Sequence, residues 1–183
     1  MSPCTVRQKG DEVGGDMRQR DGHPDLYPTR IDIPVEIRQY LVQLLNQTLA
    51  CTLDLRSQVK QASWNVKGKE RSQLQTLFES IATELDAYAD LMAERIVVLG
   101  GVALGTARTA AAQSKLAEYP GDLATGDAHA LALAERVALY TTAVRDAIEH
   151  AADVGDADTA AVYTDISRGA DKRLRFLESH LHQ

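Results

Sequence analysis

Residues 74–99 read LQTLFESIATELDAYADLMAERIVVL, and this stretch decides the fold. Leu74, Phe78, Ile81, Leu85, Tyr88, Met92, Ile96 and Leu99 advance by four, three, four, three, four, four and three positions. That is helical spacing, sustained over about seven turns. A chain that repeats it keeps one apolar stripe against a core and leaves the other face polar. Gly100 and Gly101 stop the run.

Working outward, Ile37, Leu41, Leu44, Thr48, Cys51, Leu55, Val59 and Ala62 form an earlier apolar face. Pro34 suits its first turn, where a missing N–H does no harm, and the run ends near Val66 with Gly68 as its stop. On the other side lie two more runs. One is Leu133, Val137, Tyr140, Val144, Ile148 and Ala151, stopped at Gly155; the other is Val162, Ile166, Ala170, Leu174, Leu177 and Leu181, with Asp158 or Thr159 as its cap. Residues 102–126 separate the two pairs and include RTAAAQSKLAEYP, an Ala-rich piece that suits a short helix before Pro120. Strand alternation and hairpin dipeptides are absent. The expected fold is all-α: a ferritin-like four-helix bundle at 33–183, with a short extra helix in its long crossover.

The 183 residues suffice for one domain with a core plus a tail. Residues 1–32 read as a flexible tail, rich in Gly, Asp, Arg and Pro and without apolar period. The formal charge of −6 argues against binding a polyanion through overall charge and leaves a local basic patch open. No apolar run approaches the roughly 20 residues of a membrane span, and the N-terminus has no secretory h-region. Cys4 and Cys51 make no disulfide framework, and Cys51 falls in an apolar helical pattern. The expected compartment is a reducing cytoplasm.

Beside the apolar stripe of 74–99 runs a polar one of Gln75, Glu79, Asp86, Asp90 and Glu94. Residues four apart stack, so Asp86, Asp90 and Glu94 line one flank. Such a flank is either a solvated helix face or a site for a hard cation: iron, magnesium or manganese. No Glu is followed three residues later by His, the motif by which di-iron bundles build a centre inside one subunit. An intrasubunit centre is therefore not expected.

The segments KQASWNVKG, DLMAERIVVLGG, SKLAEYP and DTAAVYTDISRGADKRLRFLESHL resemble the Dps mini-ferritins, the DNA-binding proteins from starved cells. The match runs over residues 33–182 in the right order. The resemblance implies a homo-dodecameric hollow shell that takes up Fe(II), oxidises it with hydrogen peroxide and stores ferric iron. It also implies a ferroxidase site between two subunits. One subunit supplies two histidines and a carboxylate; the other supplies an Asp and a Glu. Asp90 and Glu94, followed by Arg95, match the last part, and Glu79 falls at the usual acidic position. The two histidine positions carry Ser63 and Gln75. Imidazole is a good neutral donor to iron, whereas a hydroxyl and an amide are weak ones. The expectation is a weakened ferroxidase-type oxidoreductase, with selectivity open to other divalent cations. The alternative is a structural or DNA-associated shell whose ferroxidase site is disabled.

Other residues enter on narrower grounds. Trp64 reads as a packing anchor of the helix end or, by resemblance, as an aromatic beside the metal site. Asp146, Asp153, Asp156 and Asp158 read as a cap and solvated turn or, by resemblance, as the lining of a cation pore on a three-fold axis. Cys4 and His23 pair as a candidate tail metal site, with solvated residues as the plainer reading. His129, His150, His180 and His182 lie on or near other helices. DNA binding, with the nucleoid association it would bring, is weakly supported. Across residues 1–30 the five basic and five acidic residues cancel, and the C-terminus ESHLHQ has no basic extension.

Overall fold

The computed structural model describes residues 26–181. Five helices and no strand occupy them: α1 (Val35–Asn65), α2 (Arg71–Val98), α3 (Ala107–Gln113), α4 (Gly126–Asp153) and α5 (Ala157–Leu181). Helices α1 and α2 form one tight pair and α4 and α5 another. Lesser contacts of α1 with α4 and of α2 with α5 close the bundle, and α3 lies on α1. This is the ferritin-like bundle that the four periodic runs predict, with the short helix in the crossover.

The apolar stripe of α2 is buried as its spacing requires: Phe78, Met92, Ile96 and Leu99 are fully enclosed. So are Leu41, Leu45 and Leu55 of α1 and Leu133 of α4. Cys51 is buried with them as a free thiol. Two phenols cross the core with their hydroxyls satisfied. Tyr140 Oη meets Thr52 Oγ1 at 2.9 Å and Tyr163 Oη meets Thr48 Oγ1 at 3.1 Å. These bonds explain how the α1 stripe tolerates threonines.

Polar side chains of α1 hold the crossover. Asn46 donates to the Val102 carbonyl at 3.0 Å and accepts from the Leu104 amide at 2.8 Å. Gln58 donates to the Ala117 carbonyl at 3.1 Å, and Ser114 donates to Asp54. Tyr119, His129 and Arg136 lock the crossover to α4. Tyr119 Oη lies 2.7 Å from His129 Nδ1, and the Arg136 guanidinium lies 5.5 Å from the tyrosine ring centroid. Burial lowers the His129 pKa and pushes the Tyr119 phenol up to about 12.

Helix α4 starts at Gly126, where the expected 102–126 connection ends, because Thr125 caps it by accepting from the Ala128 amide. Two details differ from the sequence-based expectation. Helix α5 is capped by Asp156, not by Asp158 or Thr159: its carboxylate accepts from the Thr159 amide and hydroxyl. Residues 26 and 27, within the span 1–32 expected as tail, are tied to the bundle. Leu26 packs on the core, and the Tyr27 amide donates to the Gly100 carbonyl at 2.7 Å. Gly100 has φ +86°, and a Cβ there would sit 2.5 Å from the Tyr27 oxygen. Only glycine allows that approach. The candidate tail site of Cys4 and His23, and His182, lie outside the described residues.

Candidate metal centre

The turn 66–70 returns the chain so that the end of α1 faces the third turn of α2. Ser63 and Glu79 meet there. Ser63 is 1% exposed, and its Oγ donates to Glu79 Oε1 at 2.8 Å. Lys60, one turn earlier on α1, donates Nζ to the same oxygen at 3.2 Å. The serine bond, then the lysine bond and charge, hold the Glu79 carboxyl below its ordinary pKa. Sequence reading missed Lys60. Its signal was the three-residue step to Ser63, which places both on one face.

Asp90 and Glu94 are exposed, one turn apart on the same flank of α2. Glu79 is eleven residues before Asp90, which is about three turns or roughly 16 Å of axis. One chain therefore cannot bring all three to a single ion. Among the described residues, no three His, Cys, Asp or Glu side chains converge to hold a metal ion. Asp86 is turned to α1, with Oδ1 2.7 Å from Arg56 Nε. Gln75 is half-buried one turn before Glu79.

The donor set fits iron in part. Carboxylates are suitable hard ligands. Ser63, where the resemblance leads one to expect a histidine, spends its hydroxyl as a donor to Glu79. Trp64 is 69% exposed, so within one chain it anchors nothing; the Lys60 ammonium lies 6.0 Å from its ring centroid.

Arg95, the neighbour of Glu94, turns inward. Its Nη2 donates to both Asp156 oxygens, at 2.7 and 2.8 Å, and its Nε donates to Thr159 Oγ1 at 2.9 Å. Burial raises the Asp156 pKa, but the bonds from Arg95 and Thr159 outweigh it and hold the carboxyl below its ordinary value. Asp156 is thus enclosed and saturated in this chain. Asp146 and Asp153 are exposed, and so is Asp158, 3.7 Å from Arg95 Nη1.

Comparison with known proteins agrees with this architecture. The ferritin-like domain profile matches residues 42–183. The DNA protection during starvation protein of Agrobacterium fabrum is 37% identical over 157 residues, covering 86% of this chain and 97% of that protein. DpsC from Streptomyces coelicolor superposes with a TM-score of 0.82 at 28% identity, covering 90% of this chain and 95% of that one. The Dps protein of Vibrio cholerae O1, described as a member of a superfamily of ferritin-like diiron-carboxylate proteins, gives 0.79 at 25% identity over 86% of this chain and 98% of its own. Matched by the ferritin-like profile over most of its length and by a Dps relative at 37% identity, the chain belongs to the Dps family of ferritin-like proteins.

Proposed function

We propose that this protein is an iron-storing Dps shell whose oxidation site is built between two chains from carboxylates. Asp90 and Glu94 of one chain and Glu79 of another would hold Fe(II). The observation that carries this reading is the separation along α2: Glu79 lies about three turns from Asp90, so the carboxylates meet only across an interface. Iron enters as substrate. Two Fe(II) ions each give up one electron, and hydrogen peroxide accepts both with two protons to leave water. The chain contributes negative charge that favours the ferric product and a flank exposed for a partner to cover.

The assembly in this reading is a dodecamer of the 20.0 kDa chain, about 240 kDa with closed symmetry. Asp146, Asp153 and Asp158 would line the cation entry. Asp156 would frame that entry from within rather than touch the ion, given its bond to Arg95. The proposed location is the cytoplasm; no described helix is long and apolar enough to cross a membrane. DNA protection names the relatives, and for this chain DNA is the weaker partner because the net charge is −6.

A second reading is a shell with a disabled site. The bonds of Ser63 and Lys60 to Glu79 favour it, since both engage the carboxylate without iron. One experiment separates the two. Metal-free protein is loaded with Fe(II) without oxygen, hydrogen peroxide is added, and ferric absorbance is followed. The first reading expects oxidation faster than in buffer, lost in Asp90→Ala/Glu94→Ala. A wild type equal to buffer, with activity only in Ser63→His/Gln75→His, would establish the second.

A further inference from the structure

Glu79 Oε1 already holds two donors, the Ser63 hydroxyl at 2.8 Å and the Lys60 ammonium at 3.2 Å. A carboxylate oxygen has two lone pairs, so this one is saturated. A cation reaches it only if a donor leaves. Ser63 is held in place: it is 1% exposed and its side chain is too short to swing out. Lys60 is free to leave. Its side chain is 26% exposed, and its flexible stem carries a head that water solvates well. Approach through Oε2 does not avoid the problem, because a dication there would still face the ammonium a few ångströms away and be repelled.

We infer that Lys60 is a tethered counter-cation of Glu79, and that binding of a divalent metal at this carboxylate is an exchange. The metal takes the carboxylate, and the ammonium moves off toward solvent and the neighbouring Trp64 ring. That ring already lies 6.0 Å from Nζ, and its face attracts cations. The inference rests on Glu79 being a metal ligand, as proposed above. Its consequence is a threshold. The displacement cost is the same for every divalent ion, so Lys60 lowers all affinities by one factor without reordering them. Weakly held ions such as Mg2+ then stay out at concentrations where better-held ions enter.

The test uses the full-length assembled protein. Fe(II) without oxygen, and separately Mg2+, are titrated by calorimetry into wild type, Lys60→Met, Lys60→Gln and Glu79→Gln. Helical content is compared first by circular dichroism. Loss of one exposed ion pair predicts Fe(II) binding about fivefold tighter in both Lys60 variants, with the same factor for Mg2+. Trp64 is the only tryptophan, so its fluorescence reports the ammonium's movement. Zn2+ should shift the emission of wild type and leave that of Lys60→Met unchanged. If Glu79→Gln weakens binding while neither Lys60 variant tightens it, the exchange is overturned and Glu79 remains a ligand. If Glu79→Gln binds as wild type does, Glu79 is no ligand, and both the site reading and the exchange fall together.

Discussion

The two ends of α2 treat a carboxylate and its cation in opposite ways. Toward the C-terminal end, Arg95 and Asp156 are 10% and 4% exposed, joined by two hydrogen bonds and closed off by Thr159. In the third turn, Lys60 and Glu79 are 26% and 48% exposed and share a single contact at 3.2 Å. Between them in burial stands Arg173 with Glu84, at 21% and 26%. A buried, fully bonded pair has no exchangeable position, because removing either partner leaves a charge in a dry site. An exposed, singly bonded pair loses little when it opens, because water replaces the contact. The first kind joins helices. The second kind is where an ion can enter.

The largest effect should come from the buried end. Arg95→Met is expected to cost about 3–5 kcal/mol in urea unfolding, since Asp156 would remain buried without its cation. Arg95→Met/Asp156→Leu should recover most of the loss. If Arg95→Met unfolds like wild type, the pair is not what joins α2 to the α4–α5 turn. Acid gives the same comparison without that substitution. The Asp156 carboxyl is held below its ordinary value. Its contribution is therefore complete above the unfolded carboxylate pKa of about 3.9 and disappears as pH falls through the lower folded value. The double variant should lack that part of the acid loss.

The intermediate pair predicts a smaller effect. Gly169 on α5 lies against the Glu84 carboxylate and the Tyr88 hydroxyl, and an added Cβ would come 1.8 Å from Tyr88 Oη and 2.9 Å from Glu84 Oε1. Tyr88 is buried and cannot simply swing aside. Gly169→Ala should cost about 1–3 kcal/mol, the usual range for an overfilled contact. Tyr88→Phe/Gly169→Ala should regain part of it, because the nearest colliding atom is gone.

How much of this was legible beforehand follows the same division. Periodicity is set by burial, so the α2 stripe and its three partner helices could be read residue by residue. Glycine stops at Gly68, Gly100 and Gly155 were also legible, and all three adopt positive φ. The cap of α5 was not. Asp156 and Asp158 have the same chemistry two positions apart, and only the place of Arg95 across the bundle selects Asp156. The start of α4 was legible as the end of the 102–126 connection, but its cap was not, because Thr125 acts through one hydrogen bond. The carboxylates of the candidate centre stood out by their spacing on α2. Lys60 did not, because its partner Glu79 lies on the next helix, and a single lysine on a polar face has no pattern of its own.

The smallest effect on stability should come from the exposed end, and it sharpens the comparison most. Glu79→Gln keeps the shape of the side chain and an oxygen that can still accept from Ser63, which donates at 2.8 Å in the wild type. It removes the charge that attracts Lys60 and, in the proposed reading, iron. The thermal midpoint of Glu79→Gln should match wild type, while anaerobic Fe(II) binding weakens. A clear loss of stability would mean that Glu79 is as structural as Asp156, and that the exposed end is a helix joint like the buried one. An unchanged midpoint with weakened binding would separate the two ends by function: Arg95 and Asp156 maintain the bundle whatever the ion concentration, whereas Glu79 remains available to a ligand because the fold does not depend on its charge.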